Sequence, residues 1–165
     1  MIYLRPMLEK EYIPYLERSI IEYAEDKIKA GNWHPSEALE RSRQEFQKLL
    51  PEGPETPCQH LYSILADDLV EPVGIIWFAE ILDTAKPYAF IYDFSIDEDY
   101  RRKGYGSQAM LALEDEVRQV GLEQIGLHVF GHNAAALALY QKLDYRITNI
   151  NMMKTLSEAG TNDQE

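Results

Sequence analysis

A chain of 165 residues has room for one substantial core and not for two. Sixteen Lys and Arg against 28 Asp and Glu leave a formal charge of −12, which argues against nucleic acid or an anionic membrane as a partner. Hydrophobic residues at 45% with 27% charged place the chain among folded globular proteins, and its single cysteine, Cys58, excludes an internal disulfide framework.

Along the chain, Ile2 to Leu4 reads as a short strand. Glu9 to Lys29 follows with Tyr12, Tyr15 or Leu16, Ile20, Tyr23 and Ala24 close to helical spacing, and Gly31-Asn32 ends that helix. Ser36 is the expected cap of a second helix, with Ala38, Leu39, Phe46, Leu49 and Leu50 on its apolar side. Pro51, Gly53, Pro54 and Pro57 mark a loop. Leu61 to Ala66, Val73 to Leu82 and Tyr88 to Ile96 are rich in β-branched and aromatic residues, with acidic turns between them, and predict an antiparallel meander. Gly104 to Val120 returns to helical spacing, closed by Gly121. Ile125 to Phe130 predicts a strand, Asn133 to Leu143 a helix, and Tyr145 to Lys154 a last strand. Residues 1–156 are expected to form one domain, and 157–165 a polar, flexible tail. No leader pattern and no run of 18 apolar residues occurs, so the protein is expected in the cytoplasm, away from membranes.

The charge is unevenly spread. Residues 51–100 carry one basic and 11 acidic side chains, whereas residues 101–150 carry six and five. Three adjacent cations, Arg101, Arg102 and Lys103, stand at a strand-to-helix turn followed by Gly104-Tyr105-Gly106-Ser107. Backbone N–H groups at a helix start point outward unpaired and the helix dipole adds positive potential there, so this turn suits a phosphate. A Walker loop is excluded, because no G-x-x-x-x-G-K-[S/T] is present, and a dinucleotide fingerprint would need a third glycine and an early βαβ unit.

With those residues in place, the sequence resembles the GNAT superfamily of acyl-CoA-dependent N-acetyltransferases. Arg101-x-x-Gly104-x-Gly106 matches the family's [Q/R]-x-x-G-x-[G/A] pyrophosphate signature. About thirty residues on, Asn133-Ala134-Ala135-Ala136-Leu137-Ala138-Leu139-Tyr140-Gln141-Lys142-Leu143-Asp144-Tyr145 follows the second signature, N-x-x-A-x-x-[LF]-Y-x-K-x-G-[FY]. Asp144 departs from it, standing where the family has glycine; Asp tolerates the left-handed conformation better than most residues. The match covers roughly residues 60 to 154.

The resemblance implies an α/β fold with a mixed, mostly antiparallel sheet flanked by helices, whose strands splay at the acyl-CoA site. It implies acetyl-CoA as donor, no metal, and an amine acceptor, either a small molecule or a peptide. A homodimer is compatible with it. Phe94, Ser95 and Ile96 would pair with the pantetheine arm, and the N–H groups of Arg102, Lys103, Gly104, Tyr105, Gly106 and Ser107, beside Arg101, would hold the pyrophosphate. Asn133 would bond the pantetheine or simply cap its helix, and Lys142 completes the cofactor-side set. Tyr140 is the expected general acid for the departing thiolate, the alternative being a ring that only fills a helix–sheet interface. For the general base, Asp93 ranks first and Glu80 second, with His60 or His128 as relays. A non-catalytic acyl-CoA sensor on the same scaffold and a docking protein using the N-terminal helices are the competing readings.

Overall fold

The computed structural model describes residues 1–156; the tail expected over 157–165 lies outside them. The element order is β1 (Ile2–Pro6), α1 (Glu9–Lys29), α2 (Pro35–Leu49), β2 (Gln59–Ala66), β3 (Gly74–Ile81), β4 (Tyr88–Ile96), α3 (Tyr105–Gln119), β5 (Ile125–Leu127) and α4 (Ala134–Lys142). The five strands form one sheet in chain order. β1 to β4 pair antiparallel and β5 runs parallel to β4, so the mixed, mostly antiparallel sheet flanked by helices is borne out. Among the described residues, no helix is long and apolar enough to cross a membrane.

The period of two along β2 and β3 sorts side chains to two cores. Ile64, Ile76 and Phe78 face α3, where Met110, Leu113 and Val117 recur at helical spacing. Leu61, Ile75 and Trp77 face α1 and α2, against Tyr12, Tyr15, Ile20 and Phe46. Neighbouring Trp77 and Phe78 thus fill opposite cores, at 1% and 0% exposure. The first turn of α1 is tied to the sheet by Glu11, whose carboxylate accepts from the Leu8 N–H (3.0 Å) and from Ser63 Oγ (2.8 Å). Ser42 of α2 donates to the Ile20 carbonyl of α1 at 2.7 Å. Both helices are therefore fixed in register.

Besides shifts of one or two residues at the ends of β1, β2 and β3, the start of α2, the end of β5 and the last expected strand differ from the sequence reading. α2 begins at Pro35, and its cap is His34, whose Nδ1 accepts the Ser36 N–H at 3.2 Å. Proline needs no N–H partner at a first helical position, which moves the start one residue ahead of Ser36. β5 ends at Leu127, because its ladder with β4 stops there and residues 128–130 lose their partner. The strand expected over Tyr145 to Lys154 does not form. Its composition favours extended chain, yet a strand also needs to pair with a neighbour's N–H and C=O groups, and residues 145–154 join no ladder with the described strands. Ile147, Ile150, Met152 and Met153 stay exposed. Asp144 does take the left-handed conformation of the absent glycine, at φ 64°.

The β3–β4 seam has one tight point. A Cβ on Gly74 would meet the Ser95 carbonyl oxygen at 2.1 Å. Backbone cannot swing aside as a side-chain tip can, so Gly74→Ala is expected to cost about 2–4 kcal/mol and to lower Tm by on the order of 10 °C. Thermal unfolding of the variant checks this; an unchanged Tm would mean that the strands part freely there.

Candidate active site

β4 pairs with β5 only through Ala89, Phe90 and Ile91. Residues 92–96 run on without a β5 partner, so the sheet opens where the sequence places Phe94, Ser95 and Ile96. On the other edge β4 stays paired to β3, with a bulge: Trp77 lies opposite Asp93 and Phe78 opposite Ile91. Tyr92 is the extra residue, and it stacks on Trp77 at a ring distance of 4.8 Å. Such a bulge re-aims the side chains that follow it.

Beyond Ile96 a short turn at Glu98–Tyr100 leads into the loop before α3. Arg102 (φ 63°) and Gly104 (φ 81°) both adopt left-handed backbone there. Among the described residues, the N–H groups from Arg102 to Ser107 have no acceptor; the first helical bond of α3 is Gln108 N–H to the Gly104 carbonyl, 3.3 Å. Six consecutive N–H donors without acceptors at a helix start are the kind of arrangement that suits an anion. Two of the three cations are engaged locally. Arg101 Nε donates to the Ile96 carbonyl (2.9 Å), bracing the strand end, and Lys103 Nζ donates to the Asp99 carbonyl (2.8 Å) over the Tyr100 ring. Gly106 serves helix packing as well: a Cβ there would lie 3.5 Å from Leu139 and 3.6 Å from Phe94, ordinary contact, which fits an Ala-or-Gly position.

Asp93 of β4 lies near enough to Tyr140 of α4 for its charge to act on the tyrosine hydroxyl, with no hydrogen bond between them among the described residues. The Asp93 carboxylate lies inward and accepts from Tyr15 Oη (3.0 Å) and Ser19 Oγ (3.3 Å) of α1. Burial pushes its pKa up to about 6; the two hydroxyls and Arg18 pull it down, and Glu22 pushes it up. Tyr140 is 8% exposed and packs on Tyr145 at 5.7 Å between ring centres. Burial first, then the negative charge of Asp93, raise its hydroxyl to about 12. At neutral pH the pair therefore holds one proton acceptor and one proton donor. Environments that separate two titrating groups in this way are how proteins assign base and acid roles.

The other sequence candidates lie elsewhere. Glu80 is on the α3 side of the sheet, where His60 Nε2 meets its Oε1 at 2.7 Å and the His60 ring stacks on Phe78. It is thus not brought to Asp93. His128 packs edge-on against Phe130. Asn133 caps α4, its Oδ1 accepting the Ala136 N–H at 3.2 Å, and Lys142 is exposed in the last turn of that helix. Trp33 packs against Tyr23 at the corner between α1 and α2. Among the described residues, no cluster of three or more His, Cys, Asp or Glu could hold a metal. The sequence marks Tyr15 only as an apolar position of the first helix and gives Ser19 no role. Their only signal is an i, i+4 spacing on the buried face of α1, shared with any core residue.

Comparison with known proteins bears on this arrangement. The model of the acetyltransferase (GNAT) family matches residues 20–145. The chain is 41% identical over 155 residues to the uncharacterized N-acetyltransferase YycN of Bacillus subtilis, covering 94% of this chain and 99% of that protein. It is 36% identical to the uncharacterized N-acetyltransferase YdgE of the same organism, over 93% and 97% of the two chains. The crystal structure of YycN superposes with a TM-score of 0.89 at 42% identity, covering 96% of this chain and all of that one.

Proposed function

The chain belongs to the acetyltransferase (GNAT) family, and from that premise we propose that it transfers an acetyl group from acetyl-CoA to a primary amine by direct attack in a ternary complex. The observation that carries this reading is the opening of β4 from β5 after Ile91, next to a loop in which six consecutive N–H donors have no acceptor among the described residues; the charge of Asp93 reaches Tyr140 there. The nest from Arg102 to Ser107 fits a pyrophosphate in charge and in donor number. The open edge of Phe94, Ser95 and Ile96 offers backbone to an extended pantetheine arm, as a strand would.

Asp93 takes a proton from the ammonium form of the acceptor, directly or through water. The free amine attacks the thioester carbonyl carbon, the C–S bond breaks, and Tyr140 gives its proton to the leaving sulfur. Over the reaction the nitrogen gives up two protons: one goes to Asp93 before attack, and the second passes through water to the Tyr140 oxygen left bare when Tyr140 protonates the sulfur. Amide and thiol form, and only Asp93 ends with an added proton, which it returns to solvent. Asn133 keeps its Nδ2 for the pantetheine while Oδ1 caps α4. Acetyl-CoA supplies the activated acyl group; the side chains supply binding, orientation and proton movement.

The chain as a whole is acidic, at −12. Glu22 lies close enough to Asp93 to act on its titration, and residues 51–100 carry 11 acidic side chains against one basic. That field favours a cationic amine, whether of a small molecule or a peptide. CoA release measured against grouped amines tests the reaction itself: release with primary amines supports it, and acetyl-CoA binding without release would assign a sensor. For a polycationic acceptor, KM is expected to rise severalfold between low and physiological salt, as screening weakens its attraction. A salt-independent KM would leave the acidic surface with solubility alone.

A further inference from the structure

We propose that Tyr15 and Ser19 of α1 are positioning residues for the reaction, two hydroxyls that hold and orient the Asp93 carboxylate. The inference rests on the role given to Asp93 above and adds to it the part of the protein that aims the base.

Three observations carry it. Both hydroxyls donate to the same oxygen, Asp93 Oδ2, at 3.0 and 3.3 Å. They therefore fix the plane of the carboxyl group and leave Oδ1 for another partner. Both donors are buried, at 3% and 4% exposure, and are set one helical turn apart, so neither can swing to water without moving α1. That helix cannot drift easily. Glu11 ties its first turn to the sheet through Ser63, and Ser42 ties its middle to α2.

The choice of hydroxyls has a chemical consequence. A lysine or arginine in direct contact would drive a carboxylate well down and make it a poor base at neutral pH. Two neutral donors stabilise the buried charge moderately, which keeps Asp93 ionised near neutrality yet basic enough to accept a proton. The charged groups around it act at longer range. On α1 these are Arg18, itself 3.6 Å from Asp97, and Glu22; on α4 the titrating neighbour is Tyr140. Tyr12, adjacent to Tyr15, faces the same core.

The test uses Tyr15→Phe, Ser19→Ala and the double variant, with the Asp93 carboxyl carbon followed by 13C NMR as pH is varied. The Phe variant keeps the ring in its core, and the Ala variant removes a single atom, so one of the two folds even if the other fails. Removing a donor removes stabilisation of the carboxylate. The Asp93 titration is expected to move up by about one pH unit in Tyr15→Phe and by less in Ser19→Ala, with acetyl-CoA affinity unchanged. An Asp93 titration unmoved in both variants overturns the proposal. With an amine that turns over, the acidic limb of kcat should move up in step. If Asp93→Asn instead keeps full activity with a normal acidic limb, the base assignment fails, whereas the carbon titration still reports whether the hydroxyls hold the carboxylate.

Discussion

Replacing Tyr140 with phenylalanine is expected to lower kcat by about 10²- to 10⁴-fold, the usual worth of a general acid, with little change in acetyl-CoA affinity. The substitution removes one oxygen and keeps the ring that packs against Tyr145 and the α3-side core. The packing role is thus preserved while the proton donor is lost. With its hydroxyl raised to about 12, Tyr140 stays protonated across the working range and has no limb of its own there. The loss should be of the same size at pH 6 and at pH 9. Steady-state kinetics on the variant decide the point: an unaltered kcat would make Tyr140 only a packing residue.

Asp93→Asn is expected to lower kcat by a similar 10²- to 10⁴-fold at pH 7.5 and to abolish the acidic limb centred near 6. The same change should stabilise the fold. The pKa of Asp93 is raised by folding from 3.8 to about 6, so the folded state binds its proton more tightly than the unfolded chain does. Stability from this group is therefore fully present below pH 3.8 and lost as pH rises through 6. Asn keeps an oxygen for Tyr15 and Ser19 without the buried charge. A gain of on the order of 2–3 kcal/mol at pH 7.5, shrinking towards zero near pH 4, follows from about 1.4 kcal/mol per pH unit. Chemical denaturation at the two pH values measures it. A base that costs stability where it is catalytically useful is a common exchange at active sites.

The parts of the molecule written in local chemistry were legible from the sequence. The spacing of Met110, Leu113 and Val117 and the terminating Gly121 set α3, and the β-branched and aromatic runs with acidic turns between them set the meander. Arg101, Gly104 and Gly106 marked the turn that opens α3, because left-handed backbone and a helix start are encoded within a few residues. Features that depend on a distant partner were not legible. Whether Tyr145 to Lys154 pairs depends on an available edge, which its own composition cannot report. Asp93 and Glu80 read alike as strand carboxylates. A single bulge at Tyr92, and the face on which each residue lands, put Asp93 with Tyr15 and Ser19 and put Glu80 with His60. Sequence separations of 78 and 74 residues hid the two hydroxyls that meet Asp93.

The most direct test is to incubate the protein with acetyl-CoA carrying a 13C-labelled acetyl group and a pool of primary amines, and to follow the label by mass spectrometry. Direct transfer in a ternary complex is expected to put the label on an amine, with one CoA released per acetyl group and no label left on the protein. Label retained on the protein as an intermediate, or acetyl-CoA bound with no release in the presence of any amine, would contradict it.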